Sequence, residues 1–406
     1  MKRYLHVFTI SVGLCTVGLS NAGAVTMVST DGPGPVASIA KLDEAHVHEP
    51  KQPNATNPVE STRVVDLRTL GQLDELVPKL ADKQVVFIGE NHQRFDHHLV
   101  QLEIISRLHA LKPNLAIGME FFQAPYQPYL DRYVEGQLDD RELLTKTEYY
   151  ERWRYDFRLY QPILKFAQRH TIPVVALNVA QELVDKVSEM GLKGLAAEDR
   201  ALLPKHIERS DKRYQEQLRA IFEQHPGYQE RDFEHFVDVQ LVWDEGMAEQ
   251  AARYLERHPN HRLVVLAGNG HLAFGSGVPA RLKRRISVES TILLNGSEEQ
   301  IAPGAADYLL LPMEQRLPPP GRLGVLLGEP DAGVQIQSFR DNSAAKDAGV
   351  QAGDLLVAVD GRTVTRVADV RVAMWDKQPG EWVVIKVQRK PRAQEGAELN
   401  FKVKLR

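Results

Sequence analysis

VVFIGENHQRFDHH, residues 85–98, decides how this chain folds. Val85 to Ile88 are four apolar residues in a row, and Gly89 ends the run. Glu90, Asn91 and His92 follow at once, with Asp96, His97 and His98 close behind. A short unbroken apolar run is the composition of a strand buried on both faces, as in a parallel sheet covered by helices. An acid two positions before an imidazole is the composition of a metal or acid–base site.

Outward from that stretch the pattern repeats. Leu115–Met119, Val174–Leu177 and Leu263–Ala267 read as further strands, with Ser287–Leu294 less sharply bounded. Amphipathic stretches such as Leu99–Leu111 and Phe233–Leu255 lie between them. Apolar strands alternating with helices predict an α/β domain built on a parallel sheet. Its strands end in Glu90, in Glu120 (AIGMEFF), in Asn178, and in Gly268-Asn269-Gly270-His271. All carboxyl ends of such a sheet share one edge, where ligands bind. Glu90, His92, Glu120, Asn178, Asn269 and His271 are therefore expected to converge, although 181 positions separate Glu90 from His271. Singly, each carboxylate is explained as well by a helix cap, and Asn178 by a turn. Four strand ends of this kind point to a site.

Two imidazoles and two carboxylates suit a divalent first-row transition metal. His92, Glu120 and His271 are the expected ligands, with Glu90 as the base acting on a bound water. The aromatic block TEYYERWRYDFRLY (residues 147–160) offers Tyr149, Tyr150 and Tyr155 among arginines. Those residue types suit haem, which needs an apolar slot, an axial ligand and cations for its propionates. Aromatic residues at helical spacing equally suit a packed core.

The flanks differ from this domain. Lys2 and Arg3 precede an apolar stretch, Tyr4–Leu19, closed by Ala22-Gly23-Ala24. That is the pattern of a signal peptide (1–24) cut after Ala24, which predicts export to the periplasm. A lipid anchor at Cys15 is the alternative, disfavoured because the residue before it, Leu14, is large. Residues 25–63 read as a flexible tether and 64–311 as the α/β domain. A Pro-rich linker, 312–321, leads to a second domain, 322–406, of short strands and one helical run near Val367–Asp376. Cys15 is the sole cysteine, so the cleaved chain has neither disulfides nor thiolate chemistry. A net charge of −4 predicts no nucleic-acid partner.

GENH, GMEFF, the block ERWRYDFRLYQPILKFAQRHTIPVVALN, DVQLVWDEGMA and AGNGH, in that order, resemble the ChaN-like haem-binding domain. Its superfamily includes the Tiki proteases and the erythromycin-esterase type enzymes. In that family an early Gly-Glu-x-His and a late Gly-x-x-His form the signature, matched by Gly89, Glu90 and His92 and by Gly268 and His271. The resemblance implies haem or iron acquisition with a tyrosine on the haem iron. A Tiki-like metal-dependent peptidase or esterase is the alternative, and whether the protein is catalytic stays open.

SAAKDAGVQAGDLLVAVDGRTV (residues 343–364) resembles the PDZ domain of bacterial proteases. The resemblance implies a carboxylate-binding loop at Leu323, Gly324 and Val325, and a partner's C-terminus or an extended peptide added along the sheet edge. A homodimer is compatible with either domain.

Overall fold

The computed structural model describes residues 70–223, 232–296, 302–389 and 397–406. The expected signal peptide and tether, with Cys15, lie outside the described residues. Residues 73–406 belong to one compact unit.

Six parallel strands form the first sheet: β1 (Val85–Glu90), β2 (Leu115–Gln123), β3 (Val174–Asn178), β4 (Arg262–Gly268), β5 (Ser290–Asn295) and β6 (Tyr308–Leu310). Their spatial order is β3-β2-β4-β1-β5-β6. Alternation along each strand sends its apolar residues to two separate cores. Val86, Ile88, Ile117, Met119, Val264 and Leu266 face the core formed with Phe95–Leu111 and Gln161–His170. Val85, Phe87, Ala116, Leu263, Val265 and Ala267 face the core under the long helix Phe233–Arg257. Each of the larger side chains contributes about 1.5–3 kcal/mol by leaving water, which is why the runs read as unbroken apolar stretches. The sheet matches the expected α/β fold. β6 was not expected, and it is a three-residue edge strand.

β2 runs four residues past its expected end, and its register with β3 shifts between Met119 and Gln123. An irregularity of this kind bends a strand and re-aims its side chains. It falls on Glu120.

The second sheet is antiparallel, as expected for the C-terminal domain. It contains β7 (Val325–Gly328), β8 (Val334–Phe339), β9 (Leu355–Val359), β10 (Arg362–Thr363), β11 (Trp382–Arg389) and β12 (Ala397–Lys404). The order is β12-β11-β9-β8-β7, with β10 paired to β9, so β7 is an edge strand. Asp360 and Gly361, at φ 47° and 75°, make the tight turn between β9 and β10. Asp354 is buried and receives a two-pronged bond from Arg389, 2.7 Å on each arm. Gly324 takes φ 75°, and a Cβ there would stand 2.7 Å from Ser343 Cα. No L side chain fits that position.

The helix Val367–Met374 joins the two domains. Asp139 and Glu142 close a capping box that starts the short helix Asp140–Lys146. Arg141 on that helix donates to the carbonyl oxygens of Val372 (2.7 Å) and Ala373 (3.3 Å) and to Asp376 (2.9 Å). Arg366 pairs with Glu151 at 2.6 Å, and Trp375 meets Phe157 edge-on at 5.3 Å. Ala368 is buried within the core of the α/β domain.

Candidate functional site

The carboxyl edge of the parallel sheet gathers the residues that its strand ends predict. Glu90 is fully buried. Its Oε1 accepts from His92 Nδ1 at 2.6 Å, and its Oε2 lies 2.9 Å from His98 Nδ1. The second contact is an ion pair without hydrogen-bond alignment, since Glu90 Oε2 has no directed bond and His98 Nδ1 is also 3.1 Å from Gln101 Oε1. Burial alone would raise the Glu90 carboxyl. The charge of His98 and the hydrogen bond from His92 outweigh it and hold the pKa at about 2. Burial would lower His98, but Glu90 reverses that and raises it. His97, two residues into the helix Phe95–Leu111, accepts the Asn91 amide at 3.0 Å; burial lowers it to about 4, so it is neutral.

Glu120 lies beside this group. The Gly268 amide donates to its Oε2 at 2.7 Å, and His271 Nε2 stands 3.4 Å from Oε1. His271 is 4% exposed and donates from Nδ1 to Asp244 at 2.7 Å. Tyr214 donates to the other Asp244 oxygen at 2.5 Å. Burial pushes His271 down, but Glu120 and Asp244 together carry it up to about 10, so at neutral pH it is an imidazolium. Burial would raise Glu120; the His271 charge outweighs it and lowers it.

Glycine at 268 makes the meeting of the two groups sterically feasible. A Cβ there would lie 3.1 Å from His92 Cε1, 3.2 Å from His92 Nε2 and 3.7 Å from Glu120 Oε2. Gly89 does the same one strand over, because a Cβ would stand 2.3 Å from Asn269 Oδ1. Asn178 and Asn269 serve the frame. Asn178 donates to the Glu120 carbonyl (3.1 Å) and Asn269 to the Asn295 carbonyl (2.7 Å).

His92 and His271 thus each have Nδ1 fixed by a carboxylate, which sets the ring orientation. As arranged, Glu120 is paired with His271 at 3.4 Å and with the Gly268 amide at 2.7 Å. Among the described residues no three His, Cys, Asp or Glu side chains are grouped so as to hold a metal ion, and the His271 imidazolium already neutralises Glu120. The arrangement can hold a fixed charge pattern and exchange protons along Tyr214, Asp244, His271 and Glu120.

The aromatic block stands against the same centre. Trp153 and Tyr155 lie 4.9 and 5.1 Å from the His92 ring, and Tyr160 lies 4.5 Å from His98. The short helix Tyr149–Arg152 stops because Arg154 is left-handed, at φ 69°, and that break turns Tyr155 away from the helix. The three candidate tyrosines therefore part. Tyr149 is 1% exposed between Phe122, Tyr150 and Phe157, and burial raises its phenol pKa far above the usual value. Tyr150 is buried and also raised. Tyr155 is half-buried beside His92. Leu323, Gly324 and Val325 lead into β7, where the Leu323 carbonyl accepts from Ala345 N (2.9 Å) and Ser343 Oγ (3.2 Å).

Asp244, Tyr214 and His98 were missed by sequence reasoning. His98 was in plain view in the opening stretch. Asp244 sits in a helix where Asp238, Gln240, Glu245 and Glu249 are buried too, and that density of buried polar groups was the available signal.

Fold and site together define an α/β domain with a charged centre at the edge of its parallel sheet, followed by a PDZ domain. The family described as haem-binding uptake, Tiki superfamily, ChaN, matches residues 76–282, and the PDZ domain family matches residues 321–405. The chain belongs to the ChaN family and carries a C-terminal PDZ domain. No curated protein matches it. Among solved structures it is similar to ChaN of Campylobacter jejuni, described with cofacial heme binding, at 16% identity over 59% of this chain and 91% of that one (TM-score 0.49). It is also similar to the HtrA3 PDZ domain bound to a phage-derived ligand, FGRWV, at 21% identity over 21% of this chain and 85% of that one (TM-score 0.18). The HtrA-type protease AlgW, solved with a decapeptide, is 17% identical over 21% of this chain (TM-score 0.19), which spans only 29% of that protease.

Proposed function

We propose that this protein is exported to the periplasm, binds haem for iron uptake, and docks the C-terminus of a partner through its PDZ domain. The observation that carries the reading is Tyr155, a half-buried phenol beside His92 and Trp153, at the ligand-binding edge of a ChaN-family domain. The residues fit haem on three counts. Trp153, Tyr155 and Phe121 supply an aromatic wall, Tyr155 a phenol that burial leaves within reach, and the neighbouring arginines positive charge. Haem when bound would supply the iron, which is the cargo. The chain's own part is to present Tyr155, keep the wall apolar and hold the imidazoles in fixed orientation through Glu90 and Asp244.

The metal-dependent hydrolase gains no support from the arrangement of His92, Glu120 and His271, so no hydrolytic step is assigned to Glu90. The test is a haemin titration with elemental analysis on residues 25–406. Saturable binding with a tyrosinate-type absorbance is expected, lost in Tyr155→Phe. A stoichiometric transition metal in a protein indifferent to haemin would sink the reading.

A further inference from the structure

Three arginines of the block 147–160 look interchangeable in sequence, but their surroundings separate them. Arg152 is spent on carboxylates, at 2.6 Å from Glu148 and 2.8 Å from Glu182, and its remaining arm goes to Gln123. Arg158 is held by Asp156 at 2.6 Å and by the Pro318 carbonyl at 3.0 Å. Arg154 is exposed. It donates from Nε to the Glu151 carbonyl at 3.1 Å, and no ion pair engages it among the described residues.

A fourth arginine reaches the same place from the other domain. Arg371, on the helix Val367–Met374, donates from Nη1 to the Arg154 carbonyl at 3.2 Å, the oxygen of the peptide unit that begins Tyr155. Its guanidinium lies 5.9 Å from the Tyr150 ring centre. It too is exposed, without a carboxylate partner among the described residues. Nearby acids are already committed: Glu151 to Arg366, and Asp156 to Arg158. Arg371 thus binds the main chain of Arg154 itself, and neither guanidinium has a carboxylate partner among the described residues. Two cations without counter-ions on one short stretch of main chain attract an incoming anion.

We infer that Arg154 and Arg371 form a carboxylate-binding subsite beside Tyr155, built by both domains, that takes the acidic side arms of the ligand. The inference rests on the haem reading above, and there the arms are the two propionates. Arginine suits them because its planar fork matches a carboxylate with paired hydrogen bonds. The site would be incomplete in the α/β domain alone, since Arg371 belongs to the PDZ domain.

The probes are haemin and its dimethyl ester, which keep the iron macrocycle and differ only in the acidic arms. Wild-type protein is expected to bind haemin more tightly than the ester. The double variant Arg154→Ala/Arg371→Ala should lose roughly 10- to 100-fold in haemin affinity, the range of one or two charged hydrogen bonds, and leave ester binding unchanged. Arg371→Lys should restore only part of it. Equal haemin affinity in wild type and the double variant overturns the subsite while leaving haem binding standing, as does an equal loss for both probes. Wild-type protein that binds neither probe overturns the haem reading and the subsite with it. Far-ultraviolet circular dichroism and a thermal melt on each variant identify a folding defect. Arg154→Glu alone, which adds repulsion at an exposed position, then provides a second reading: weaker haemin binding is expected, and an unchanged value counts against the subsite.

Discussion

At the carboxyl edge of the parallel sheet, Glu90, Glu120 and Asp244 are each buried against an imidazole. At β7 the second sheet instead presents main-chain atoms beside Gly324, a position no side chain can take. The first region stores its specificity in charged side chains, each of which depends on a partner. The second stores it in backbone shape. The first should therefore fail steeply when a single partner is removed, and the second should fail only when the backbone itself is altered.

Asp244→Ala is the sharpest way to break that contrast. It leaves the His271 imidazolium buried beside one carboxylate and Tyr214 without its acceptor. A loss of about 3–5 kcal/mol in urea unfolding is expected. A loss under 1 kcal/mol would mean that the buried network is not what holds this edge together. The same pair has a pH signature. The folded His271 pKa lies near 10, above the ordinary histidine value, so its contribution is complete below about 6.5 and is lost as pH rises through about 10. Glu90 works in the opposite direction: its contribution is present above about 4.5 and disappears as pH falls through about 2. Stability measured across pH should fall at both ends, and Asp244→Asn should move the alkaline limb to lower pH.

In the second region, Gly324→Val is expected to abolish binding of an apolar pentapeptide with a free C-terminus, read by fluorescence polarisation. The backbone strain alone is about 1–2 kcal/mol, and the contact with Ser343 adds to it. Ordinary affinity in that variant would remove the backbone from the account. The smallest effect belongs to the contact between the domains. Arg141→Ala removes two bonds to carbonyl oxygens and a half-exposed pair with Asp376, so about 1 kcal/mol is expected in the thermal unfolding of the full chain.

The sequence made the strands legible because burial on both faces leaves an unmistakable apolar run, and because each run stops abruptly on a polar residue. It made the convergence of Glu90, His92, Glu120 and His271 legible because parallel strands share an edge. It did not reveal Asp244, since the long helix is buried on nearly every side and its periodicity does not say which acid faces the site. Nor did spacing separate Tyr149 from Tyr155. Helical spacing would have placed the whole block on one surface, and the left-handed backbone of Arg154 breaks that spacing between the two. The meeting of Arg371 with Arg154 joins residues 217 positions apart in different domains, and no periodic pattern encodes it.

The strand order has a consequence for how the chain must be made. β4 lies between β1 and β2, so neither finds its neighbour on that side until residues 262–268 are available to pair. Before that point only β2 and β3 can pair, and β1 waits with both edges open. Open apolar edges recruit other chains, and closing distant contacts is slow. Most of the α/β domain must be synthesised before its central strands can be sealed, and the charged centre is assembled in the same step, by β4, the strand that enters between β1 and β2.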